Sequence, residues 1–237
     1  MKLISILFLL FFSMYSHASC VILLHGLARS SSSMDAMEEA LLEENFHPVN
    51  LGYPSREHPI EELADLAIKP ALEECPQDME VNFITHSLGG ILVRQYLSEN
   101  EIDNLNRVVM LGPPNQGSEV VDKLGEMPGF YFLNGDAGLQ LGTSELSVPN
   151  SLGKANFEVG IIAGTKSINL ILSSLIPDTD DGKVSIESTK LEGMNDHIEM
   201  PVTHPFMMKN DDVIVQVIHY LKHGRFKHDN DLSQTDK

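Results

Sequence analysis

The stretch Val81-Asn82-Phe83-Ile84-Thr85-His86-Ser87-Leu88-Gly89-Gly90 sets one serine at the exit of an apolar run and the entrance of a helical pattern. A hydroxyl on a tight strand-to-helix turn is exposed for nucleophilic attack, and the turn brings the residues two positions either side close together. Those flanking positions must be small, which Gly89 satisfies and Thr85 satisfies less completely. Gly90 permits close packing of the helix on its strand. The backbone N–H of Leu88, at the start of that helix, is placed to meet a developing oxyanion.

Two further places have the same character. The apolar run Val21-Ile22-Leu23-Leu24 ends in His25-Gly26-Leu27-Ala28-Arg29, where the Leu27 N–H is available as a second oxyanion donor. Losing such a donor costs about 2.7–4 kcal/mol in a serine hydrolase, so this position matters although its side chain is inert. His25 reads as a histidine that organises the loop rather than as a base. Late in the chain, Asp178-Thr179-Asp180-Asp181-Gly182-Lys183-Val184 precedes Val202-Thr203-His204-Pro205-Phe206. A carboxylate that fixes an imidazole tautomer, and an imidazole that takes the serine proton, are the partners a serine nucleophile needs. Asp181 is favoured over Asp178 and Asp180 because it directly precedes Gly182. His204 is favoured over His197 because it follows an apolar strand that His197 would begin.

These sites need elements that hold them at one edge. Short apolar runs at 20–24, 47–51, 81–85, 107–111, 158–163 and 198–202 alternate with amphipathic patterns at 33–44, 58–74, 88–98, 118–124 and 211–223. Strands alternating with helices pair in parallel through right-handed crossovers, which predicts a single-domain α/β fold. The sheet has about six mostly parallel strands with helices on both faces. Open sheets of this kind bind ligands at the carboxyl ends of their strands, where all three sites fall. The stretch 125–152, with Phe130-Tyr131-Phe132-Leu133 between glycines and prolines, is the candidate wall over the serine. No long helical insertion is present to form a large lid.

In the order of these motifs the chain resembles the α/β-hydrolase superfamily, and within it the secreted lipases and esterases. The strand-His-Gly loop, the small-x-Ser-x-Gly turn, the Asp-Gly-x-Val loop and the late histidine follow one another from Cys20 to Phe226. Thr85 departs from the glycine usual in that family. The resemblance implies Ser87 as nucleophile, Asp181 as acid, His204 as base, and Leu27 and Leu88 as oxyanion donors. It implies cleavage of carboxylic esters through an acyl-enzyme, with no cofactor. The acidic cluster Asp178, Asp180 and Asp181 could hold calcium as in some lipases, but such runs are usually solvated loops, and no metal is expected. The same acyl-enzyme could serve a thioesterase or an acyltransferase, and a non-catalytic exported module binding a lipid or partner is the reading from another class.

Composition narrows the partners. The chain has 237 residues, 16 Lys+Arg against 34 Asp+Glu, and a formal charge of -18, which excludes nonspecific attraction to nucleic acid or to an anionic membrane surface. The expected partner is a small-molecule ester or lipid, with membrane contact only through the substrate. Lys2, the apolar run to Tyr15 and Ser16-His17-Ala18 read as a secretory signal over residues 1–18, hence a secreted or periplasmic protein. The hydrolase domain would then be 19–227, with a polar, aperiodic tail at 228–237. An oxidising compartment permits a bridge between Cys20 and Cys75, each at or just before the start of an apolar run, although two free thiols remain open. Ten histidines include His219 and His223 on one helical face, but no glutamate follows His219 in the zinc-protease pattern.

Overall fold

The computed structural model describes residues 19–228. The expectations for a signal segment at 1–18 and for the tail from 229 onward lie outside the described residues. Six strands form one wholly parallel sheet in the order β2-β1-β3-β4-β5-β6. They are β1 (Cys20–Leu24), β2 (His47–Val49), β3 (Val81–His86), β4 (Leu105–Leu111), β5 (Val159–Gly164) and β6 (Asp196–Met200). The longer helices are α1 (Asp35–Glu43), α2 (Ile60–Glu74), α3 (Leu88–Glu99) and α9 (Asp211–His223). Between them lie α4 (Glu119–Leu124), α5 (Phe130–Leu139), α6 (Val148–Ser151), α7 (Leu170–Ser173) and α8 (Ile186–Thr189).

The sheet is buried on both faces, as crossover helices require. Ile22, Leu24, Phe83 and Met110 pack on one side with Ile60, Leu63 and Ile68 of α2 and Ile91 and Leu92 of α3. Val21, Leu23, Ile84 and Val109 pack on the other with Met37 and Leu41 of α1 and Val213, Val217 and Tyr220 of α9. The direction of strand addition reverses between β1 and β3, so their carboxyl ends flank a crevice. Ser87 and the His25-Gly26-Leu27 loop stand on its two sides.

A disulfide joins Cys20, the first residue of β1, to Cys75, the C-cap of α2. It lies at the edge opposite the crevice and closes a loop of 55 residues. Some expected boundaries shift. The last strand runs two residues earlier than the apolar pattern 198–202, because Asn195 binds the start of β5 through both its N–H and its side chain. Val202 turns back on Met200 instead of continuing the ladder. β2 stops at Val49, and four short helices (α5 to α8) occupy stretches that showed no periodicity.

Candidate active site

Ser87 occupies the single position between β3 and α3 and takes φ 53°, ψ −117°, a backbone region an L-residue enters only under constraint. Its N–H is held by the Leu111 carbonyl at 2.9 Å. The turn tolerates no bulk around it. A methyl group on Gly89 would stand 2.7 Å from the Leu24 carbonyl oxygen, and one on Gly26 would stand 2.7 Å from the His86 ring. Thr85 fits because Gly90 makes room: a Cβ there would lie 3.3 Å from the Thr85 hydroxyl. Neither the Leu27 nor the Leu88 N–H has a hydrogen-bond acceptor among the described residues.

Asp181 and His204 are brought together. The His204 Nδ1 bonds the Asp181 Oδ2 at 2.7 Å, and both side chains are buried. The other carboxylate oxygen accepts the N–H groups of Lys183 and Val184 at 3.0 and 2.9 Å, while the His204 N–H donates to the Asp181 carbonyl. Such bonding leaves the carboxylate one orientation and commits Nδ1 as the protonated nitrogen, so Nε2 is the basic one. Gly112, at φ +55°, underlies the pair: a Cβ there would stand 2.9 Å from Oδ2 and 3.1 Å from Nδ1. The neighbouring acids are occupied otherwise. Asp180 accepts from Ser173 and from the Gly182 N–H, and Asp178 is exposed. His197, on β6, bonds Thr189 of α8, away from this group.

Ser87 and His204 line one cavity of about 80 Å³, without a hydrogen bond between their side chains. Its apolar lining comes from Leu27, Val120, Val121, Phe130, Leu141 and Val184. The 125–152 stretch therefore forms part of the wall. Within it the chain departs from helical geometry at Gly135, where a side chain would collide with the Arg56 carbonyl.

Two histidines serve the scaffold. His25 stacks on Tyr53 with ring centroids 4.0 Å apart, and the Tyr53 hydroxyl donates to the His25 carbonyl. Burial holds the His25 imidazole below its ordinary value. His86, whose importance its position alone did not signal, places its Nε2 2.9 Å from the His204 carbonyl oxygen. Nε2 is thus the donor and Nδ1 a buried, unpartnered acceptor. Burial, and then the proximity of His204, hold this imidazole well below its ordinary value, so it stays neutral beside His204. Among the described residues, no group of three or more His, Cys, Asp or Glu side chains is placed to hold a metal ion.

No family model and no curated protein matches the chain in sequence. Solved structures match it in fold. The mature lipase BlEst2 of Bacillus licheniformis superposes with a TM-score of 0.68 over 88% of this chain and 93% of that one, at 18% identity. The Pyrococcus furiosus esterase PF2001 gives 0.59 over 87% and 82%, at 15% identity. Phospholipase PlaB from Legionella pneumophila gives 0.56 over 73% of this chain and 46% of that one, at 19% identity. The six-stranded parallel sheet and its surrounding helices are those of the α/β-hydrolase fold.

Proposed function

We propose that this protein is a serine hydrolase that cleaves carboxylic esters through an acyl-enzyme on Ser87. The observation that carries the reading is the buried Asp181–His204 pair at the wall of the cavity that holds Ser87. His204 Nε2 takes the Ser87 proton as Oγ attacks the ester carbonyl, and the negative oxygen that results is met by the N–H groups of Leu27 and Leu88. The imidazolium returns the proton to the departing alcohol. Water then gives a proton to His204 as it attacks the acyl-serine carbonyl, and the imidazolium returns that proton to Ser87 Oγ as the acyl–oxygen bond breaks, which releases the acid and restores the hydroxyl.

A cavity of about 80 Å³ favours a short acyl chain, since sites for drug-sized ligands begin near 300 Å³. Any contact with a lipid surface would run through Tyr131, Phe132 and Leu133, which stand 57%, 84% and 60% exposed beside the wall. Export through residues 1–18 belongs to the same reading, supported by the Cys20–Cys75 disulfide, which needs an oxidising compartment to persist.

The test is labelling of the purified protein with a fluorophosphonate probe beside turnover of butyrate and palmitate esters. Labelling at Ser87, loss of both labelling and turnover in Ser87→Ala, and faster butyrate cleavage are expected. His204→Ala should lose at least about a thousandfold in kcat, while His197→Ala keeps most of the rate. A folded protein that neither labels nor turns over an ester would refute the reading, and an active His204→Ala beside an inactive His197→Ala would move the base.

A further inference from the structure

The cavity over Ser87 carries two cations for which ester cleavage has no use. Arg29 and Lys183 both line it, and no aspartate or glutamate does. This runs against the composition of a chain with 34 acidic and 16 basic residues. Two other clefts are lined by carboxylates, one by Glu61, Asp122 and Glu126 and another by Glu119 and Glu145, while the cleft beside Arg94 and Lys154 also lacks an acid but is remote from Ser87.

Among the described residues, neither Arg29 nor Lys183 has a carboxylate within ion-pair distance. Asp181 acts on Lys183 from nearby, yet its oxygens are taken by His204 and by backbone N–H groups. The Lys183 side chain reaches solvent, but protein atoms crowd its ammonium closely enough to disfavour the charged form. Arg29 adds a like charge in the same direction, so the ammonium is held below the ordinary lysine value.

Both positions are fixed by backbone contacts. The Lys183 N–H is bound by Asp181 and its carbonyl by the Ser118 hydroxyl. The Arg29 N–H closes a turn on the Gly26 carbonyl, and the preceding Ala28 N–H donates to Ser55. Arg29 is exposed and Lys183 reaches solvent, and the carboxylate that acts on Lys183 is committed to His204 and backbone N–H groups, so an anion entering the cavity meets two cations without an ion-pair partner of their own.

We propose that the cavity selects esters bearing an anionic oxygen group, a phosphate or a carboxylate, which Arg29 and Lys183 bind while the apolar wall of Val120, Val121, Phe130 and Leu141 takes the acyl chain. This specificity rests on the ester-hydrolase reading. At long range the charge of -18 repels anions, so the selection acts only within the cavity and weakens with salt.

The experiment compares kcat/KM for 1-butyrylglycerol, its 3-phosphate and butyryloxyacetate, with phosphatidylglycerol vesicles as a fourth arm. The phosphate or carboxylate ester should be favoured roughly tenfold over the neutral one at low salt, the scale of a charge-assisted hydrogen bond. Faster turnover of the vesicles identifies a lipid headgroup as the anion's source, and faster turnover of the soluble esters a soluble metabolite. Arg29→Gln and Lys183→Gln should each reduce the anionic-to-neutral ratio and together abolish it, while Lys183→Arg retains it. The ratio is the readout because a general loss of activity cancels from it. A wild-type ratio at or below one, or a ratio that survives the double substitution, overturns the proposal.

Binding of octyl phosphate and octanol to Ser87→Ala, followed by calorimetry, separates this proposal from the catalytic reading. Preference for the phosphate that disappears on adding Arg29→Gln and Lys183→Gln upholds the anion site even if no ester is turned over. Equal binding of the two overturns the site even if esters are cleaved.

Discussion

Thr85 stands two residues before the nucleophile candidate, where the strained turn leaves little room, and its side chain is fully buried. The space it occupies is the space a Gly90 side chain would need. A Cβ at residue 90 would lie 3.2 Å from Met110 Sδ and Pro113 Cβ and 3.3 Å from the Thr85 hydroxyl. Gly90→Ala sets an overpacking cost of about 1–3 kcal/mol against about 1 kcal/mol gained in helix propensity, for an expected net loss of up to about 2 kcal/mol. Thr85→Gly in the same chain should recover part of that loss. Urea unfolding of the two single variants and the double variant measures the coupling, and losses additive within about 0.5 kcal/mol would show that the two positions do not share the space. The sequence marked Ser87 and His204 as residues that follow apolar runs and Asp181 as a loop residue between two of them, and a parallel α/β sheet brings such connections to one edge. The compensation between Thr85 and Gly90 was not legible, since it depends on which atoms face each other across the turn. Nor was the contact of His86 with His204, which links residues 118 positions apart.

α3 begins one residue after Ser87, so whatever anchors it anchors the turn. The anchor is Arg94, a buried guanidinium that donates to the carbonyls of Asn115, Pro149 and Gly153 and to the Asn115 side chain. Burial pushes its pKa down to about 10, so it remains charged at neutral pH. It ties α3 to the loop after β4 and to the two ends of α6. Arg94→Met keeps the length and leaves three carbonyls without their donor, for an expected loss of about 3 kcal/mol. Arg94→Lys should recover little of this, because a single ammonium cannot reproduce the planar fork. Thermal melts of both variants test the point, and a lysine variant as stable as the wild type would show that charge rather than fork geometry is what counts. α9 was readable to the residue from its apolar stripe and from Gly224, which takes φ 71° and closes the C-cap on Tyr220. α5 to α8 were not, because they are short, are held by tertiary contacts such as those of Arg94, and have too few turns to show a period.

Across the whole molecule, the six-strand parallel architecture was legible because a sheet covered on both faces writes itself as uninterrupted apolar runs. The proton balance was not, because it depends on which histidines the fold removes from water. His25 and His86 are 1% and 2% exposed, and burial is the leading cause of the depressed pKa in each. In the unfolded chain both take up a proton as the pH falls through about 6.5. In the native state they stay neutral to lower pH. Below about 6.5 the unfolded state therefore binds more protons, and stability rises with pH through this window. The contribution is fully present above pH 6.5 and is lost as pH falls from there toward the native values, by at most about 1.4 kcal/mol per pH unit for each histidine. Most carboxylates titrate near 4, so the interval from pH 6.5 to 5.5 reports mainly on histidine. His86→Gln keeps a donor within reach of the His204 carbonyl but cannot titrate. It should lower the slope of unfolding free energy against pH by up to one proton, whatever it does to stability at pH 8. Urea unfolding at closely spaced pH values gives that slope directly. A slope equal to that of the wild type would mean that His86 takes up its proton in the folded protein as readily as in the unfolded chain.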